Sequence, residues 1–185
     1  MEKINWKIIT ILSLLVVLIN VGFRIIDHPY NFTPLAATFL FFGACFNRRY
    51  LVLPFLALIL SDLYIGFYDW KLMLAVYGSF AIIGLFGLWL KNNKNIYSYV
   101  GLPVLSGVIF YLVTNGAVWC FSSWYAHSWP GLVYCYYMAL PFFKNTILGN
   151  LFFSAIFFAS YEILILWNKN LNNLKEFFKQ LKQYI

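Results

Sequence analysis

Ile11-Leu12-Ser13-Leu14-Leu15-Val16-Val17-Leu18 is an apolar stretch interrupted by a single serine. Nothing in it alternates. A strand of a membrane barrel shows apolar and polar residues in turn over about ten positions. Lipid offers no partner for a free backbone N–H or C=O, so such a run is satisfied only as a helix. The stretch belongs to an apolar segment over residues 8–23, and comparable runs follow at 35–46, 50–66, 70–90, 99–119 and 145–167. At about 20 residues per crossing, these predict about six transmembrane helices. The expected fold class is all-α, a polytopic membrane helix bundle.

Composition points the same way. The chain has 185 residues, of which 63% are hydrophobic and only 10% charged. A soluble domain is about one quarter charged, so a soluble globular enzyme is excluded, as is a disordered chain. Basic residues (Lys3, Lys7) precede the first run, as in a secretory signal peptide. No alanine occurs before Ala36, so no small-residue cleavage site is present and the first helix is expected to stay. The run at 35–46 is entered through Phe32-Thr33-Pro34, and proline suits a first helical turn. Residues 132–143, with Pro141 near the end, are too short to cross and are expected to form a separate interfacial or re-entrant helix before the last span.

Orientation follows from lysine and arginine. With the N-terminus inside, the inner segments hold Lys3, Lys7, Arg48, Arg49, Lys91, Lys94, Lys169, Lys175, Lys179 and Lys182. The outer segments hold Arg24, Lys71 and Lys144. Both termini are therefore expected in the cytoplasm. From Asn168, Leu171, Leu174, Phe177, Phe178 and Leu181 recur at helical spacing with Lys175, Lys179 and Lys182 between them. This predicts an amphipathic helix on the inner leaflet. The chain divides into a transmembrane domain (1–167) and this tail (168–185). The net charge of +7 is a topology signal. It is not a nucleic-acid footprint, because no basic soluble module carries it.

Polar side chains inside a membrane are costly, so their depth is informative. Asn20, Asp62, Thr114, Asn115, Asn145, Thr146 and Asn150 come from four helices and fall at a similar depth in the outer half. A shared polar layer under the outer surface is what an outward-facing binding cavity requires. Above it stand Phe121, Trp124, Tyr125, Trp129, Tyr134, Tyr136 and Tyr137, either as an interfacial belt or as walls and a lid for a ligand. The residues assigned to substrate binding are Asp62, Asn115, Trp119, Lys144 and Asn145. Each has a plainer alternative. Asp62 is also placed to reach water or to pair with Arg24, Asn115 to bond a neighbouring helix, and Arg24 to pair locally with Asp27. Glu162 is expected to pair with a nearby lysine or arginine.

Other chemistries find little support. His28 and His127 are both in outer loops, and neither HExxH nor CxxC occurs, so no metal site or cofactor is assigned. No Gly-x-Ser-x-Gly elbow or glycine-rich phosphate loop is present. Ser106-Gly107, Gly84 and Gly87 read as close helix packing. Cys120 and Cys135 flank the outer aromatic loop, where a disulfide is one option and free thiols the other.

Several blocks of sequence resemble a family of small uncharacterised bacterial membrane proteins. They are Asn31-Phe32-Thr33-Pro34-Leu35-Ala36-Ala37 with Leu40-Phe41-Phe42-Gly43-Ala44, then Leu60-Ser61-Asp62 with Ile65-Gly66-Phe67, then Tyr111-Leu112-Val113-Thr114-Asn115 with Trp119, then Cys135-Tyr136 with Pro141-Phe142-Phe143, Asn145-Thr146 and Gly149. Size, six-span plan and inside termini are in turn similar to the substrate-binding S components of energy-coupling-factor vitamin transporters. That likeness implies capture of a vitamin or cofactor precursor from outside, and docking on an energising ATPase module through small residues of the first helix. The first helix here lacks such a spaced set. The expectation is a multi-pass protein of the bacterial cytoplasmic (inner) membrane, embedded in the lipid bilayer, that binds or takes up a small molecule and is not an enzyme. The alternative is a structural or interaction subunit of a membrane complex. A lipid-modifying enzyme is a third class, without a recognisable nucleophile and base.

Overall fold

The computed structural model describes the backbone of residues 6–181, and side chains for residues 10, 11, 13–170 and 173. Among the described residues every regular element is helical. They are α1 (Trp6–Ile25), α2 (Leu35–Cys45), a 3-10 turn (Arg48–Leu51), α3 (Val52–Ile65), α4 (Trp70–Leu90), α5 (Ile96–Phe121) and α6 (Trp129–Leu181). Side chains cap several of them: Asp69 Oδ1 accepts from the N–H groups of Lys71 and Leu72 before α4, Asn95 Oδ1 from that of Ser98 at α5, Asn47 Oδ1 from that of Arg49 at the 3-10 turn, and Ser128 Oγ from that of Gly131 at α6. Helix α3 stops at Gly66, whose φ of 108° suits only glycine.

Three stretches are long and apolar enough to cross a membrane: Trp70–Leu90, Ile96–Phe121 and Trp129–Asn170. Their outward residues fit lipid, with Leu74, Leu85 and Trp89 on α4 all more than half exposed. The separate helix expected at residues 132–143 is a correction. Those residues are the first part of α6, which continues without a break through Pro141 and on through the last apolar run. Proline removes one N–H donor but fits helical φ, and an interrupted backbone costs more in lipid than one lost bond. Contacts along α5 fix the register: Cys135 Sγ reaches Asn115 O, the rings of Tyr111 and Tyr136 meet, and those of Tyr99 and Phe158 meet. The two helices are thus antiparallel, and residues 135–158 of α6 run beside residues 99–115 of α5. The C-terminal segment is also helical as far as Leu181, joined to α6. Its expected amphipathic face, Leu171, Leu174, Phe177, Phe178 and Leu181 with Lys175, Lys179 and Lys182, lies outside the described side chains.

The apolar run at 35–46 did become a helix, but a short one. Helix α2 has 11 residues, about 16 Å at 1.5 Å per residue, or half a hydrocarbon core. Every residue from Leu35 to Ala44 is buried, as expected of a helix that is apolar all round. Phe39 stacks on Phe80 of α4 and meets Phe55 of α3 edge-on. Phe41 packs among Phe157, Phe158 and Tyr161 of α6. Helix α2 is therefore the core of the bundle, walled by the others. One end of the bundle is basic, with Arg48, Arg49, Lys91 and Lys94 around the C-terminus of α2, where Lys91 Nζ donates to Phe46 O.

The chain reaches α2 through residues 26–34, which carry no regular helix. This segment is not confined to the surface. Phe32 packs against Phe152 and Phe153, and Asn31 lies beside Phe110, about halfway along α5. So the second passage through the bundle is half irregular chain and half helix.

One buried bond ties α1 to α2. Asn20, 1% exposed, donates to Thr38 Oγ1 and to Val16 O, both at 2.7 Å. Thr38→Val keeps the side chain's shape but leaves an Asn20 N–H without its acceptor. The expected loss is about 1–2 kcal/mol, read as a lower unfolding midpoint in detergent. Ser106→Ala is the control. Among the described residues that hydroxyl bonds only Leu102 O of its own helix, and its loss is expected to stay within about 0.5 kcal/mol.

Candidate functional site

Where irregular residues 26–34 give way to α2, the bundle encloses a cavity of about 210 Å³. Arg24, Asn31, Thr33, Tyr68, Thr146 and Asn150 supply its polar lining. Leu35, Ala36, Leu58, Val76, Phe80 and Phe110 supply the apolar part. All six helices contribute: α1, α3 and α5 give one residue each (Arg24, Leu58 and Phe110), and α2, α4 and α6 give two each. The floor residues Leu35, Ala36, Leu58 and Phe80 are buried, whereas Asn31 and Tyr68 are exposed. The cavity therefore opens away from the basic end, past Asn31 and Tyr68. A side pocket of about 70 Å³ adjoins it through Asn31, Phe110 and Thr146.

Arg24 lies in the last turn of α1 and reaches across to α3. Its Nη2 is 2.6 Å from Asp62 Oδ1. Its Nη1 donates to Ser61 Oγ at 2.7 Å and to Leu58 O at 3.3 Å. The second Asp62 oxygen accepts from Tyr77 Oη of α4 at 2.7 Å. Both Asp62 oxygens are thus satisfied, as a carboxylate that is 1% exposed requires. One face of Arg24 remains on the cavity.

The five residues assigned from sequence do not converge on this cavity. Asp62 sits behind Arg24 and is absent from the lining. Asn115 lines only the side pocket, and its Nδ2 donates back to Tyr111 O in its own helix. Trp119 Nε1 donates to Ala126 O, which ties down the loop between α5 and α6. Lys144 is exposed. Asn145 Nδ2 donates to Tyr30 O and so holds the irregular segment against α6. Of the outer aromatics, none from Phe121 to Tyr137 lines the cavity; Tyr136 Oη instead donates to Leu112 O between α5 and α6. Tyr68 and Asn31 take the place at the mouth that those rings were expected to hold.

Thr146 and Asn150, named as part of a polar layer, do line the cavity. Arg24, Asn31, Thr33 and Tyr68 had not been assigned to it. The signal for Asn31 and Thr33 was present, because Asn31-Phe32-Thr33-Pro34 places two polar residues just before a fully apolar helix. Arg24 makes no ion pair with Asp27 among the described residues. Glu162 faces Lys94 at 4.0 Å. Cys45, Cys120 and Cys135 are free thiols. A larger hollow of about 700 Å³ lies between α5 and α6 near the basic end, with Tyr99, Val100, Ala155 and Phe158 as its apolar wall and Lys94, Ser154 and Glu162 at its polar side.

A family model described as "Family of unknown function (DUF6580)" matches residues 2–174. No curated protein and no solved structure matches the chain.

Proposed function

The chain belongs to DUF6580, a family of unknown function, and from the cavity's geometry we propose that it is a multi-pass protein of the bacterial inner membrane that captures a small organic molecule there. In this reading the basic end faces the cytoplasm, both termini lie inside, and the mouth at Asn31 and Tyr68 opens outward. One observation carries it. Residues 26–34 carry no regular helix, and two of them, Asn31 and Thr33, line the cavity together with Phe110 and Asn150. At membrane depth, non-helical backbone is tolerated only where protein buries it or where it lines a wet cavity. Broken helices at mid-depth are also how membrane transporters build binding sites. A chain with no binding role has no need of the break, since a continuous second helix satisfies its own backbone.

The mixed lining supports a ligand site, because apolar walls give affinity and a few convergent polar groups fix orientation. Among the described residues that line the cavity no nucleophile stands beside a base, and the reading proposed is binding or uptake. Any energy for transport comes from a partner, such as an ATPase module, or from a gradient.

Thermal unfolding of the purified chain in detergent, against a panel of vitamins and their precursors, tests this. At least one compound is expected to raise the midpoint by several degrees. Ala36→Phe, which fills the floor, is expected to fold and to lose that shift. No shift with any compound, together with a stable membrane partner in pull-downs, returns the chain to the structural-subunit reading.

A further inference from the structure

We infer that the cavity recognises an organic anion, a carboxylate or phosphate on a small apolar body, held by the N-terminus of α2 and by Arg24, with Asp62 as the resting counter-ion that then shares Arg24 with the ligand. This rests on the cavity being a ligand site, as proposed above.

The backbone supplies the first argument. The earliest hydrogen bond of α2 runs from Thr38 N–H to Pro34 O at 2.8 Å. The N–H groups of Leu35, Ala36 and Ala37 precede it and have no acceptor among the described residues. Pro34 at the N-cap offers no side-chain bond. At an ordinary helix start water would serve. Here all three residues are buried, 6%, 4% and 0% exposed, and Leu35 and Ala36 line the cavity. The aligned peptide dipoles add partial positive charge at the same place.

Side-chain chemistry supplies the second. Arg24 is the sole charged residue in the described lining, and no carboxylate is in it. A part-buried guanidinium, here 18% exposed at its side chain, is stabilised by a counter-charge. Asp62 provides one in the empty state from behind the wall. An arriving anion offers Arg24 a second partner from the cavity side.

Asn150 supplies the third. It is 2% exposed and lines the cavity. Its Nδ2 donates to Pro103 O at 3.1 Å. The other N–H and the Oδ1 have no partner among the described residues, and such an amide at this depth calls for a polar guest. Val76, Phe80, Phe110 and Leu58 then cover the ligand's apolar part.

The test compares matched probes by thermal unfolding of the full chain in detergent. Benzoate and phenyl phosphate are the anions, and benzamide and benzylamine are their neutral and cationic counterparts. At about 100 times Kd, an anion is expected to raise the midpoint by about 5–10 °C, with the other two inert. Whichever anion binds more tightly names the class. Asp62→Asn removes the competing carboxylate, so anion affinity is expected to rise about tenfold; a merely structural role for Asp62 predicts no gain. The double variant Arg24→Gln/Asp62→Asn leaves no unpaired charge and is expected to fold and to lose the preference for anions. If benzamide or benzylamine stabilises as well as benzoate, or if Asp62→Asn weakens anion binding in a folded protein, the anion inference is overturned while the cavity reading stands. If neither these probes nor the vitamin panel produces a shift, both fall.

Discussion

Replacing Arg24 with alanine is expected to cost the fold about 3–5 kcal/mol, read as a much lower unfolding midpoint in detergent. The substitution leaves Asp62, 1% exposed, without the guanidinium 2.6 Å from its Oδ1. Only Tyr77 Oη would still donate to the carboxylate. Breaking a buried pair from one side costs about 3–5 kcal/mol, against a whole stability of about 5–15 kcal/mol. Asp62→Ala is expected to be milder. Arg24 is 18% exposed at its side chain and keeps Ser61 Oγ and Leu58 O as acceptors. Removing both charges is expected to cost less than removing Arg24 alone, because no orphan ion remains. A double-mutant cycle on unfolding in detergent should therefore give a coupling energy of a few kcal/mol. If Arg24→Ala and Asp62→Ala each unfold within about 0.5 kcal/mol of the parent, the pair is not the clamp between α1 and α3 described here.

That pair also marks how far the sequence could be read. Asp62 stands out because a carboxylate inside an apolar run is costly, and pairing with Arg24 is one of three readings, beside ligand contact and reaching water. The choice between ligand contact and ion pair depended on the approach of α1 to α3, which sequence spacing does not encode. The helical class was legible for a simpler reason. Lipid leaves the backbone no other solution, so an unbroken apolar run is enough. Boundaries were harder. Residues 132–143, with Pro141 near the end, read as a separate short helix before the last span, yet α6 runs through them without a break. Proline is a stop signal in water, where a freed carbonyl finds a new partner; within lipid and packed against α5 it is absorbed. The apolar run at 35–46 looked like a crossing and is half of one. Hydropathy measures how apolar a segment is, not whether protein or lipid surrounds it, and Leu35–Ala44 is buried in protein on every side. The cavity was hidden for the same reason. Its lining joins residues as far apart as Arg24 and Asn150, and Asn145 bonds Tyr30, 115 positions away. Polar depth alone brought Thr146 and Asn150 into view and put Asn20 beside them, although Asn20 is spent on Thr38.

A second large effect is expected where α2 crosses α4. A Cβ placed on Gly87 would lie 2.5 Å from Leu40 O and 3.0 Å from the Cα atoms of Gly43 and Leu40. A Cβ on Gly43 would lie 2.6 Å from Gly84 O and 2.8 Å from Gly87 C. These neighbours are backbone atoms, so no rotamer change relieves the clash. Small residues at crossing points let membrane helices approach this closely. The helices can separate only if α2 moves, and α2 is packed against α3, α5 and α6 as well. Overpacking in a rigid core costs about 1–3 kcal/mol at one site, and Gly43→Ala/Gly87→Ala is expected to exceed that. Helix propensity pulls the other way, since alanine favours a helix interior by about 1 kcal/mol over glycine. Gly78→Ala and Gly101→Ala show that term alone, because nothing lies within 4 Å of a Cβ at either position. Those two are expected to be neutral or slightly stabilising in the same unfolding assay. Gly107→Ala falls between, since the nearest atom, at 2.5 Å, is the mobile end of Ile147. The ordering has a functional consequence. Leu35 and Ala36 form the cavity floor, so a shift of α2 away from α4 moves the donors at its N-terminus relative to Arg24. Gly87→Ala protein that still folds is therefore expected to lose ligand-induced stabilisation before it loses helix content by circular dichroism. If Gly87→Ala is as harmless as Gly78→Ala, the close crossing of α2 and α4 is wrong, and with it the placement of the cavity floor.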